Sequence, residues 1–174
     1  MNIDKAHALI RDVPDFPKPG IVFKDIAPLL QDATAWKLVT EAMAEAIAAW
    51  RPDVLVGIES RGFLFAAPIA YQLGTGLGLV RKPGKLPFNV LRQEYSLEYG
   101  TDAIEMHTDA VRRGQRVVVV DDVLATGGTA AACGDLVAQA GGDVVGYAFM
   151  IELGFLNGRA KLPTDAPTFS LFDY

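Results

Sequence analysis

Four consecutive valines at 117–120 constrain this chain more than any other feature. Successive residues of a strand point to opposite faces, so an unbroken β-branched run is stable only where both faces are covered. Three further segments have the same character: DVLVGI (53–58), GLGLV (76–80) and DVVGYAFMIEL (143–153). Helical patterns lie between them. Residues 2–11 read as a short amphipathic helix, and Thr34 to Trp50 carries Leu38, Met43, Ala46, Ile47 and Trp50 near helical spacing. Phe63–Leu73 and Thr129–Gln139 read as two more helices, the second stopped by Gly141 and Gly142. This alternation predicts an α/β fold with a mainly parallel central sheet flanked by helices. Residues 81–110 hold no sustained period, and so long a loop in a compact domain is usually functional or mobile.

The length of 174 residues suits one well-cored domain. A net charge of −5 argues against a nucleic-acid surface, although a local group of cations can still serve a small anion. The single cysteine, Cys133, has no partner for an internal disulfide, which favours a reducing compartment. The first residues, MNIDKAHALIRDVPDF, lack the apolar core of a secretory signal, and no apolar run is long enough to span a membrane. The expectation is a cytoplasmic protein. His7 and His107 read as isolated surface residues, and Trp36 and Trp50 as core or dimer contacts.

The valine run leads into VVVVDDVLATGGT (117–129). In an open parallel sheet, ligands bind at the carboxyl ends of the strands, and Asp121 and Asp122 fall at such an end. Carboxylates there can accept hydrogen bonds from neighbouring hydroxyls, as on a ribose. Ala125, Thr126, Gly127, Gly128 and Thr129 follow and open a helix. Glycines let backbone N–H groups converge on a phosphate, threonine hydroxyls add donors, and the helix dipole favours negative charge. No Gly-Lys-Ser/Thr follows, so this is not a P-loop. The stretch is suited to a sugar phosphate.

Asp-Asp-x-x-Ala-Thr-Gly-Gly-Thr after a valine strand resembles the signature of the type I phosphoribosyltransferases, which bind 5-phosphoribosyl 1-diphosphate (PRPP). FPKPGIVFKDI (16–26), ESRGFLF (59–65), RKPGKLP (81–87) and YSLEYG (95–100) occur in family order and narrow the resemblance to the adenine-using branch. The resemblance implies a single domain over 1–174, with a base-binding hood at 1–30, a pyrophosphate and lid region at 81–110, and the PRPP-binding strand, loop and helix at 117–140. It implies purine salvage: transfer of the phosphoribosyl group from PRPP to adenine, giving AMP and pyrophosphate, with Mg2+ held mainly through PRPP and no metal ligands from the protein. A homodimer is implied, with no nucleic-acid or membrane partner.

The implied roles agree with the chemistry each residue can perform. Asp121 and Asp122 take the ribose hydroxyls, and residues 125–129 the 5-phosphate. Ser60 and Arg61, in a turn where the family often has aspartate at the position of Glu59, can hold a pyrophosphate through amides and guanidinium. Arg81, Lys82 and Lys85 form an electrostatic clamp, with Arg81 acting either in its own site or in a neighbouring subunit's. Tyr99 joins the PRPP-binding set, and Glu98, on the lid, is the catalytic residue that handles the purine proton. Val22, Phe23, Lys24 and Val123 are assigned to adenine, Phe23 by stacking and the backbone around Val22 and Lys24 by reading the base edge.

Adenine carries an amino donor at C6, whereas 6-oxopurines carry an acceptor. Enzymes for 6-oxopurines resemble chains with a lysine on the strand after the signature helix, and no lysine or arginine lies between Thr129 and Arg159 here. A mismatched donor in a buried site costs a few kcal/mol, which is large discrimination. The alternatives are a 6-oxopurine phosphoribosyltransferase and a PRPP-sensing regulator on the same fold; the regulator lacks an appended DNA-binding segment. GTGLG (74–78) precedes a strand rather than opening a helix, so it is not a dinucleotide loop.

Overall fold

The computed structural model describes residues 2–96 and 100–174. The chain divides into two compact units, residues 1–42 and 43–174.

The first unit opens with α1 (Ile3–His7), capped by Asn2, whose side-chain oxygen accepts from the Lys5 N–H at 3.1 Å. Strands β1 (Arg11–Pro14) and β2 (Val22–Asp25) then form an antiparallel pair, followed by α2 (Ala27–Gln31). Cross-strand charge pairs fix the register: Arg11 meets Asp25 at 2.5 Å and Lys24 meets Asp12 at 2.7 Å. The expected helix over 2–11 is thus half as long and gives way to a strand. Helix α3 (Ala33–Ala48) straddles the division, and Trp50 lies just beyond its end.

The second unit contains a seven-stranded sheet of order β5-β6-β4-β3-β7-β8-β9. Its strands are β3 (Val54–Ile58), β4 (Gly76–Arg81), β5 (Val90–Ser96), β6 (Thr101–His107), β7 (Arg116–Leu124), β8 (Asp143–Glu152) and β9 (Thr168–Asp173). The five strands from β4 to β9 in that order pair in parallel, and β6 and β5 add an antiparallel edge. Helix α4 (Gly62–Leu73) connects β3 to β4, and α5 (Gly128–Ala140) connects β7 to β8, ending at Gly141 with φ +87°. The four valines of β7 at 117–120 are fully buried, as a strand covered on both faces requires. Trp50 packs flat on β8: a Cβ on Gly146 would lie 2.3 Å from its ring, so only glycine admits the indole. Trp36, by contrast, is partly exposed.

Two expectations need correction. Residues 81–110 are not aperiodic loop, because β5 and β6 form a hairpin there. Glu, Arg, Gln and Asp on these strands obscure the alternation, yet Val90, Leu91, Gln93 and Tyr95 are shielded while Arg92, Glu94 and Ser96 are exposed. Strand β7 also outlasts the 117–120 valine run by four residues, since Val123 and Leu124 continue pairing with Ile151 and Glu152 of β8. Asp121 and Asp122 therefore sit inside the strand rather than at its tip.

Strands β3 and β7 are neighbours, but β3 leads through α4 to one side of the sheet and β7 leads through α5 to the other. That reversal is the switch point where doubly wound sheets open a crevice at the carboxyl ends of their strands.

Candidate active site

Three chain turns converge at this edge. The first follows β3 and carries Glu59, Ser60 and Arg61, with a cis peptide between Glu59 and Ser60. Its approach to β7 depends on Gly62, where a Cβ would lie 2.8 Å from both the Asp121 carboxylate and the Val120 carbonyl. Arg61 Nε reaches Asp122 Oδ2 at 2.9 Å, so the two sequence motifs meet in a charge pair. Asp122 is 4% exposed. Burial pushes the Asp121 carboxyl well above the usual carboxylate range, and the adjacent Asp122 charge pushes it further. Asp122 is raised by burial too, with Arg61 opposing. Two acids held in this way gain from any donor or cation that arrives.

The second turn joins β7 to α5. It lines a cavity of about 80 Å³ with Asp121, Val123, Leu124, Ala125, Thr126, Gly127, Gly128, Thr129 and Ala130. Gly127 takes φ +78°, a left-handed conformation that β-branched side chains reject. Helix α5 then begins at Gly128 with no side-chain cap, leaving its first amides free of a capping oxygen. Such an end suits an anion. Tyr95 of β5 covers this loop, since a Cβ on Gly128 would lie 3.3 Å from its ring.

The third turn follows β4 and holds the cations, each already facing a carboxylate. Glu59 accepts from Arg81 Nε at 3.1 Å, from the Lys82 backbone N–H at 3.0 Å and from Lys85 Nζ. Lys82 Nζ pairs with Asp102 of β6 and reaches the Tyr95 hydroxyl at 3.1 Å. Buried Glu105 accepts from the Gly84 N–H at 3.0 Å and fixes the turn's backbone. Burial tends to raise the Glu59 carboxyl, but the Lys85, Lys82 and Arg81 donors overcome it and hold the group below the usual range. The Lys82 hydrogen bond likewise lowers Asp102. Nothing in the sequence marks Asp102 and Glu105, because acids on a strand without a recognisable apolar alternation carry no motif.

Of the predicted residues, Ser60, Arg61, Arg81, Lys82, Lys85, Asp121, Asp122, Val123 and 125–129 lie in the second unit on these turns or on β7. Val22, Phe23 and Lys24 lie on β2 of the first unit, where Phe23 meets Phe16 edge-on at 5.3 Å between ring centres. Glu98 and Tyr99 fall outside the described residues. Cys133 is buried on α5, and burial pushes its thiol far up, consistent with simple packing. His107 is half-buried against Phe88 rather than on the open surface.

A family model for the phosphoribosyl transferase domain matches residues 28–173. The chain belongs to the phosphoribosyltransferase family. An adenine phosphoribosyltransferase of Anaeromyxobacter dehalogenans is 58% identical over 160 residues, 92% of this chain and 93% of that one. The crystal structure of the adenine phosphoribosyltransferase of Thermoanaerobacter pseudethanolicus matches with a TM-score of 0.97 at 51% identity, covering 99% of this chain and all of that one. That of Saccharomyces cerevisiae, complexed with an imino-altritol bisphosphate and adenine, matches at 0.91 and 40% identity, covering 97% of each chain. The particular activity is purine salvage: transfer of the phosphoribosyl group of PRPP to adenine, giving AMP and pyrophosphate.

Proposed function

We propose that the sheet edge formed by the three turns is the PRPP site and that the chain runs this transfer as one domain over 1–174. The 5-phosphate is assigned to residues 125–129, the ribose hydroxyls to Asp121 and Asp122, and the pyrophosphate to Ser60, Arg61, Arg81, Lys82 and Lys85, with Tyr99 completing the set. The observation that carries the reading is the small cavity at the start of α5, walled by uncapped amides and threonines and bordered by Asp121.

The steps follow from what these groups do. Backbone amides and the α5 dipole fix the phosphate, so the sugar has one orientation. Asp121 and Asp122 hold the hydroxyls and favour positive charge developing on the ring during departure of the leaving group. Arg81, Lys82 and Lys85 receive the pyrophosphate by exchanging carboxylate partners for phosphate oxygens, keeping the cations charged throughout. Val22, Phe23, Lys24 and Val123 are assigned to adenine, and Glu98 to its proton.

Magnesium is assigned as a companion of PRPP, held mainly through its oxygens, with Asp121 and Asp122 the carboxylates assigned to the diol. Among the described residues no group of three or more His, Cys, Asp or Glu side chains could hold a metal ion. Bound with PRPP, the ion would offset the charge of the diphosphate leaving group.

A homodimer is supported by the apolar surface beside β4. Leu64 and Tyr71 on α4, Leu77 and Leu79 on β4, and Phe88 are all exposed, Tyr71 by 92%. Large apolar side chains exposed in this number on neighbouring elements are what a second subunit would cover. A cytoplasmic location without nucleic-acid or membrane partners accords with the net charge of −5, and no helix among the described residues is long and apolar enough to cross a membrane.

Two measurements test the reading. Supplied with PRPP and Mg2+, the protein should release pyrophosphate rapidly with adenine and slowly with hypoxanthine or guanine; equal rates would return the 6-oxopurine alternative. Glu98→Ala should lower kcat about 100-fold at unchanged PRPP affinity, and unaltered turnover would remove its role.

A further inference from the structure

The phosphate loop is packed on one side by a segment with no recognised motif, residues 154–161, which forms two short 3-10 turns (Gly154–Leu156 and Gly158–Lys161). Gly158 meets the loop backbone to backbone. A Cβ on Gly158 would stand 2.1 Å from the Ala125 carbonyl oxygen and 2.9 Å from the Gly127 nitrogen. Conversely, a Cβ on Gly127 would stand 2.2 Å from the Gly158 carbonyl oxygen. Gly158 is not among the glycines with positive φ, so space alone demands glycine there.

The next residue fastens this segment. Arg159 forks onto Glu152, with Nε at 3.0 Å from Oε1 and Nη2 on Oε2. The same guanidinium reaches the Thr168 carbonyl at 2.8 Å and the Ser170 hydroxyl at 3.0 Å, both on β9. Glu152 is 8% exposed, and the Arg159 hydrogen bonds hold its carboxyl below the usual range, so the pair stays charged at neutral pH. In the sheet Glu152 stands opposite Leu124, the last residue before the phosphate loop, and the Leu153 N–H donates to the Leu124 carbonyl at 2.9 Å. Further along, Leu162 and Ala166 are buried in the core. The segment is thus anchored at both ends, and its glycine presses on the loop.

We propose that Gly158 is a positioning residue for the phosphate loop, held in place by the Arg159–Glu152 fork, and that this brace sets affinity for the 5-phosphate end of the substrate. Gly158 contributes no side chain to the ligand; it acts through the amide of Gly127 and the carbonyl of Ala125. The proposal rests on the assignment of the 5-phosphate to residues 125–129. Arginine rather than lysine is required, because only a planar fork satisfies both Glu152 oxygens while reaching β9.

The test uses the whole enzyme and two probes, ribose 5-phosphate and inorganic pyrophosphate, titrated calorimetrically into Gly158→Ala, Arg159→Lys and a Thr126→Ala/Thr129→Ala control. Gly158→Ala is expected to raise the Kd of ribose 5-phosphate and the KM of PRPP about 10-fold or more, leaving kcat and the pyrophosphate Kd within about 2-fold. Arg159→Lys should move the same two quantities by a smaller factor, and it decides the matter if Gly158→Ala does not fold. A residue needed only for stability would reduce the folded fraction without altering the Kd of the molecules that fold. If the control weakens ribose 5-phosphate and neither Gly158→Ala nor Arg159→Lys does, the brace is refuted and the phosphate assignment stands. If neither the control nor either brace variant alters the ribose 5-phosphate Kd, the phosphate assignment fails and the brace with it.

Discussion

The turn after β7 and the turn after β4 lie at the same edge of one sheet and are both assigned to anions, yet they are built in different ways. The first uses backbone: a left-handed glycine, an uncapped helix start and the close approach of Gly158. The second uses side chains: Arg81, Lys82 and Lys85, each engaged by Glu59 or Asp102. Amides have nowhere else to turn, so the phosphate site is preorganised and costs little to occupy. The cations must exchange one set of anions for another. This division matches the chemistry, since the 5-phosphate stays on the sugar throughout while pyrophosphate has to leave.

The contrast is most easily broken at Gly127. Alanine there would be strained at φ +78° and would collide with Gly158, and PRPP affinity should fall about 100-fold, equivalent to about 2.7 kcal/mol. Calorimetric titration checks it, and an unchanged Kd would show that the loop is not the anchor. A smaller effect of opposite sign is expected in the other region. Glu59→Gln removes the negative charge that competes for three donors, so pyrophosphate should bind a few-fold more tightly; weaker binding would mean that Glu59 aligns the cations more than it competes for them. The smallest effect concerns Asp102→Asn. The Lys82–Asp102 pair is about one-third exposed on both sides, so its loss should cost under about 1 kcal/mol of stability at neutral pH. Because the folded Asp102 carboxyl is lowered, that contribution is complete above the ordinary value near 4 and is lost as pH falls through the lowered one. Denaturant melts of the two proteins should therefore converge in acid and stay apart at pH 7.

The same contrast governs what the sequence disclosed. Apolar runs announced β3, β4, β7 and β8; burial on both faces demands them in β3, β7 and β8, whereas β4 leaves Leu77 and Leu79 exposed on one face. The glycine- and threonine-rich turn between β7 and α5 was equally legible, since glycine and threonine after a buried strand are rarely needed for packing alone. The hairpin of β5 and β6 was not legible: one face of β5 is wet, and its charges at 92 and 94 mask the alternation. Strand β9, TFSLFD, was missed because its burial is incomplete along most of its length. Nor could sequence reveal Gly158 or the fork of Arg159, whose partners stand 7 to 11 residues away in the chain and are aligned only by sheet register.

The central claim is that backbone at the start of α5 holds the 5-phosphate while Asp121 and Asp122 hold the sugar. A crystal structure with AMP tests it most directly. The account predicts the nucleotide phosphate within about 3 Å of the amides of residues 126–129, with the ribose hydroxyls on the two aspartates. A well-ordered nucleotide bound elsewhere, with the loop and the acid pair untouched, would contradict it.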